Sequence, residues 1–193
     1  MPPKGEQTRE TILKAAAPLF VAKGFSGVTM SDLCEATGLS RGGLYRHFGS
    51  VAAVFQALLE ADKQSWAQEM ESAMEKGISA QCMLSFYLEQ TRLSIERGEG
   101  RLSLAVYEYL RSPEADPAFT RDRFQAAVDM YRRMLEYGQK RGEFGAFDAM
   151  AAAQRGVVFI DGLRLASANG LLDSETIARH LQNLLVEVRI WKG

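Results

Sequence analysis

The chain has 193 residues, 47% of them hydrophobic and 24% charged, with a net charge of −1. That is enough apolar material for one domain, or for a small domain joined to a larger one, and too much for a disordered chain. No apolar run approaches the ~20 residues of a membrane-spanning helix, and Glu6 and Glu10 interrupt a first segment that reads unlike a secretory signal; the expected compartment is the cytoplasm, with no membrane partner.

Near-neutrality argues against indiscriminate binding to nucleic acid, but the charge is uneven. Residues 1–50 hold six Lys/Arg against four acids, a net +2, while residues 51–193 hold 17 against 20, a net −3. The N-terminal segment is therefore the end suited to phosphates.

Apolar residues recur at three- and four-residue spacing almost everywhere, and no segment sustains the alternation of a strand. Ile12, Ala16, Leu19 and Phe20 form one face of a first helix ending at Gly24, with a bend expected at Pro18, which lacks an amide donor. Thr29 is placed to cap a second helix, with Asp32 three residues on in a capping box, and Gly38 ends it. Ser40 caps a third, Arg41 to Phe48. A long helix follows from Val51 toward Gly77, then helices at about 79–97, 101–111, 117–141, 148–169 and 174–191. The expected division is a domain over 1–50 and a second over 51–193, coupled by the helix that starts at Val51.

The third helix carries the chemistry. Leu44 and Phe48 face inward, which leaves Arg41, Tyr45 and Arg46 around the bare backbone of Gly42 and Gly43 on the outside. Each glycine costs a helix about 1 kcal/mol against alanine, a cost that makes sense where a bulky partner must approach, and the major groove of DNA admits a helix. Ser40 and the first-turn amides suit phosphate oxygens, as do Tyr45 and His47; Arg41, nearest the helix start, suits a bidentate contact to guanine. Helix, three-residue turn with Gly38 and short second helix make a helix-turn-helix. A plain solvated helix corner is the bland alternative.

The stretch "ILKAAAPLFVAKGFSGVTMSDLCEATGLSRGGLYRHFGS" resembles the DNA-binding domain of the tetracycline-repressor (TetR) family of bacterial regulators, over roughly residues 8–60. The resemblance rests on the Ala-rich first helix ending in Leu19-Phe20, on Lys23-Gly24-Phe25, Thr29 and Gly38-Leu39-Ser40, and on Leu44-Tyr45-Arg46-His47-Phe48. It implies an all-α fold: an N-terminal three-helix helix-turn-helix domain joined by a continuous helix to a larger helical ligand-binding and dimerisation domain. It also implies a homodimer on double-stranded operator DNA, with Thr29, Ser40, Arg41, Gly42, Gly43, Tyr45 and His47 at or near the duplex. Arg46 and Lys23 complete the expected DNA-binding set. Where the family usually carries a lysine after the Phe-x-Ser turn, this chain has Val51, so one backbone contact is expected to be lost.

Residues 51–193 hold no catalytic constellation: neither His47 nor His180 has a partner at triad or metal spacing. No cofactor, metal or enzymatic activity is expected. Large adaptable side chains could line an effector pocket, with Trp66, Met70, Phe86, Tyr107 and Tyr131 as wall candidates. Arg92, Asp161 and Arg164 could meet a polar ligand group or pair among themselves. Gly156, Ile160, Leu163 and Ser167 on one helix, with Ile177, Leu181, Leu184, Leu185, Val188 and Trp191 on the last, read as a dimer interface. Cys34 and Cys82, far apart and in no metal pattern, read as buried structural thiols. The expected function is a TetR-like transcriptional regulator, a repressor released from a near-palindromic operator by a small-molecule effector. The rivals are an adaptor that keeps the helix-turn-helix shape without DNA, and an all-helical enzyme.

Overall fold

Nine helices run in order through the described residues, 4–190, of the computed structural model: α1 (Lys4–Lys23), α2 (Met30–Thr37), α3 (Arg41–Tyr45), α4 (Val51–Glu75), α5 (Ala80–Glu96), α6 (Arg101–Leu110), α7 (Pro117–Lys140), α8 (Ala149–Ala168) and α9 (Ser174–Ile190). No strand occurs among these residues. They group into two units, Met1–Asp62 with Arg101–Pro117, and Lys63–Gly100 with Ala118–Gly193. The division falls inside α4, which continues unbroken, and the first unit takes in α6, an element the sequence reading did not pair with the N-terminal helices.

In the first unit, Ile12, Ala16 and Phe20 turn one face of α1 inward onto Leu33 of α2 and Leu44 of α3, all fully buried. α1 runs through the exposed Pro18 without a break. A ring cluster joins the elements: Phe55 of α4 has its centroid 4.6 Å from Phe20, 5.3 Å from Phe25 and 5.6 Å from Tyr109 of α6. The Tyr109 hydroxyl oxygen accepts hydrogen bonds from Gln56 Nε2 and from the Asp116 amide. Its polar tip is thereby satisfied while the ring supplies apolar surface.

α3 is shorter than its sequence reading of Arg41 to Phe48. The amides of His47 and Phe48 both bond to the Leu44 carbonyl, and the Arg46 amide is shared between Gly42 and Leu44 carbonyls. The chain tightens out of the α-helix so that Phe48, only 3% exposed, can enter the core. Ser50 then caps α4, its Oγ accepting from the Ala53 amide at 3.1 Å.

In the second unit, α5 packs on α8 and α9 around Leu84, Leu88, Val128, Met134, Leu135 and Ile160. Two glycines let rings close onto helices. A methyl group at Gly156 would lie 2.3 Å from the Tyr131 ring, and one at Gly138 would lie 2.2 Å from Phe144.

The reading of the last helices as an association stripe needs correction. Gly156, Ile160, Leu163, Ile177, Leu181 and Val188 are buried in this unit's own core, and Leu184 and Leu185 pack against it half-buried; Ser167 is also half-buried. An amphipathic stripe buries against whichever neighbour is nearest, and here its own chain supplies one. The outward apolar residues are Met150, Val158, Phe159 and Val186, beside the exposed Gly162. Trp191 lies outside the described residues. Both cysteines are free thiols, but Cys82 is exposed, not buried, and Cys34 is only partly covered.

Candidate nucleic-acid interface

The helix-turn-helix is fastened from both ends of α2. The Thr29 hydroxyl accepts the Asp32 amide at 3.2 Å, while the Asp32 carboxylate accepts the Thr29 amide and hydroxyl, each at 2.8 Å. Lys23, at the end of α1, donates to the other Asp32 oxygen at 2.7 Å. The Lys23 hydrogen bond and those from Thr29 hold the Asp32 carboxyl down from 3.8 to about 2. A group whose native pKa is depressed stabilises the fold fully above its unfolded pKa, and that contribution fades as the pH falls through the native value. The stability difference between wild type and Asp32→Asn, followed by thermal melts over an acid series, is therefore expected to persist above pH 3.8 and to disappear toward pH 2.

At the other end Gly38 closes α2 in the left-handed region, φ 67°, where a side chain would strain the turn. Ser40 then caps α3, its Oγ accepting from the Gly43 amide at 3.2 Å. The two glycines have different causes. A methyl at Gly43 would crowd the Ser40 hydroxyl at 3.3 Å, whereas one at Gly42 meets nothing within 4 Å. No atom of the described residues requires position 42 to be bare.

α3 buries Leu44 completely and presents Arg41, Gly42, Tyr45 and Arg46 to solvent, with Tyr45 at 44% exposure. The Arg41 guanidinium lies over the Tyr45 ring, 5.8 Å from its centroid. His47 is half-buried at the end of the same face. Ser40, Arg41, Gly42, Gly43, Tyr45, Arg46 and His47 thus lie along the turn and α3, while Thr29 stands at the opposite end of α2. Lys23 is engaged with Asp32 and ties α1 to α2.

Residues 12–58 match the profile of the bacterial regulatory proteins, tetR family. Over that segment the chain is similar to the tetR-family regulators. An uncharacterised helix-turn-helix regulator of Bacillus subtilis, YfiR, is 28% identical over 149 residues, 76% of this chain and 72% of its own. The A-factor receptor protein of Streptomyces griseus is 29% identical over 83% of this chain and 55% of its own length. A solved tetR-family regulator from Agrobacterium tumefaciens superposes with a TM-score of 0.78 at 19% identity, over 96% of this chain and all of that one.

As a DNA-binding transcriptional regulator similar to the tetR family, the chain holds two contacts that sequence reasoning missed. Arg9 of α1 donates through Nη1 to the His47 carbonyl at 2.9 Å and stacks on the Phe48 ring at 4.1 Å. Glu108 of α6 accepts the Ser26 amide at 2.9 Å, its carboxylate lodged against Gly24. These contacts span 38 and 82 residues, and no local pattern announces them.

The pocket candidates separate. Met70 is core, Phe86 is 53% exposed and Tyr107 is an exposed residue of the first unit. Trp66 stacks edge-on to Tyr87 at 5.4 Å, and Tyr87 lies 6.1 Å from Tyr131. Of the five, Tyr131 alone lines the ≈ 540 Å³ cleft between α7, α8 and α9, together with Phe147, Val158, Phe159, His180 and Glu187. Burial pushes the Tyr131 phenol well above its usual range, so it stays a neutral donor. Arg92 pairs with Glu89 and Glu96 along α5, and Arg164 with Asp161 along α8. Asp161 and Arg164 thus bind one another, while Arg92 takes both its partners from its own helix.

Proposed function

We propose that the chain is a repressor that works by binding and not by catalysis, in the cytoplasm, as a homodimer on a near-palindromic operator, released by a small-molecule effector. The observation that carries the reading is α3, which buries Leu44 and exposes Arg41, Tyr45 and Arg46 around a position kept bare for no internal reason. In this reading α3 enters the major groove, Arg41 reads a base pair, and Thr29, Ser40, Tyr45, Arg46 and His47 hold phosphates. Lys23 acts through Asp32, by keeping α2 in place.

Association through the outward faces of α8 and α9 is supported by Val158, 60% exposed, by the exposed Phe159 of α8 and Val186 of α9, and by Gly162, where a methyl would meet no atom within 4 Å. A bare helix position admits a partner backbone. An effector site in the second unit is supported by the Trp66–Tyr87–Tyr131 aromatic row, and by one relative being a receptor protein for A-factor. The effector would act through α4, which belongs to both units, by shifting the equilibrium between two dimer shapes, only one of which sets both α3 helices in their grooves.

Selection of binding sites from a random-sequence duplex pool by the full-length protein tests this directly. The expected product is a pair of inverted half-sites with centres about 34–36 Å apart or a multiple of that. Enrichment of no sequence over the starting pool overturns the DNA reading, and a single unrepeated half-site overturns the two-fold dimer.

A further inference from the structure

We propose that Arg9 is a phosphate-binding residue of the DNA interface and that it positions the C-terminal end of α3. The inference rests on the DNA reading above and adds a site on α1, outside the helix-turn-helix. Arg9 has two fixed contacts: one arm bonds to the His47 carbonyl, and the guanidinium plane lies 4.1 Å above Phe48. The carbonyls leaving a short helix lack helical partners and carry its negative dipole end, so a cation here is favoured as well as hydrogen-bonded.

The arrangement leaves donors over. A guanidinium offers five N–H groups in a rigid fork; one is used, and Arg9 carries no ion pair among the described residues although its side chain is exposed. Arg9 therefore stands as a pre-oriented cation at the edge where α3 turns into α4. That edge has no other basic residue of its own beyond Arg46 and His47, because Val51 opens α4 and the next Lys or Arg along the chain is Lys63. A planar fork held at one end by a carbonyl and a ring matches a backbone phosphate oxygen and carries no base information.

Two substitutions separate charge from tether. Arg9→Gln keeps an amide donor for the His47 carbonyl and removes the charge; Arg9→Lys keeps the charge and removes the fork and its stacking. Operator affinity of the full-length protein is measured against salt, using a site enriched from the random pool, at a temperature where each variant's circular dichroism is that of the folded state. The expected result for Arg9→Gln is a several-fold loss on operator and unrelated duplex alike, with the slope of log affinity on log salt shallower by about 1.8, one phosphate contact from each protomer of the dimer. Arg9→Lys is expected to keep the wild-type slope while binding more weakly, because the end of α3 is no longer fixed. A wild-type slope in Arg9→Gln overturns the phosphate contact, and wild-type affinity in Arg9→Lys overturns the positioning role. If the wild-type chain itself enriches no sequence, the DNA reading fails first, and this inference falls with it before any variant is made.

Discussion

Phe55→Ala is expected to lower the unfolding free energy by about 3–5 kcal/mol, the range for deleting a fully buried aromatic ring. Phe55 has no exposed surface, and its ring meets Phe20, Phe25 and Tyr109 within 4.6 to 5.6 Å. Those partners come from α1, from the segment that follows it and from α6, so removing one ring takes apolar contact from all three. Edge-to-face pairs such as Phe25–Tyr109 at 5.1 Å and 73° add roughly 0.5–1.5 kcal/mol beyond area burial, and that pair would border the new cavity. Urea unfolding followed by circular dichroism measures the change. Phe124→Ala serves as the control, because Phe124 is 41% exposed and its removal should stay within about 0.5 kcal/mol. Equal midpoints for the two variants would show that the cluster does not hold the first unit together.

Arg41→Ala is expected to reduce discrimination between operator and mismatched duplex by about 1–3 kcal/mol, the value of one bidentate base contact. Arg41 opens α3, is exposed, and rests against the Tyr45 ring, which restricts its approach to a groove edge. Arg46 supplies the comparison, since it carries the same charge but follows the last turn of α3 as its cap. Arg46→Ala should weaken all duplexes by a similar factor and leave the preference between them intact. Competition binding against single-base operator variants reads both effects. If Arg41→Ala also loses affinity uniformly, the base contact belongs to another residue.

The order of the helices and their limits, apart from the C-terminal end of α3, were legible because turn chemistry is local. Thr29 with Asp32, Ser40 and Gly38 mark the boundaries within a few residues of sequence, and the structure keeps each in its expected role. The inner face of α3 was legible for the same reason, since Leu44 and Phe48 lie one turn apart. What was not legible depends on partners distant in sequence. Periodicity gives α8 and α9 a buried stripe but not the surface that covers it, so Ile160 and Leu181 read equally well as core or interface. The ties Arg9–His47 and Glu108–Ser26 join residues whose neighbours carry no complementary signal. The five pocket candidates were chosen by side-chain type, which does not distinguish the exposed Phe86 from the buried Tyr131.

Glu108 fastens α6 to the end of α1 by gripping a peptide N–H, a group that nineteen of the twenty amino acids supply. Position 26 is therefore free to drift among them without loosening that joint, while position 108 must keep a side-chain acceptor of that reach, Glu or Gln, to hold it. Divergence in this corner should be lopsided, tolerant on the loop and strict on the helix.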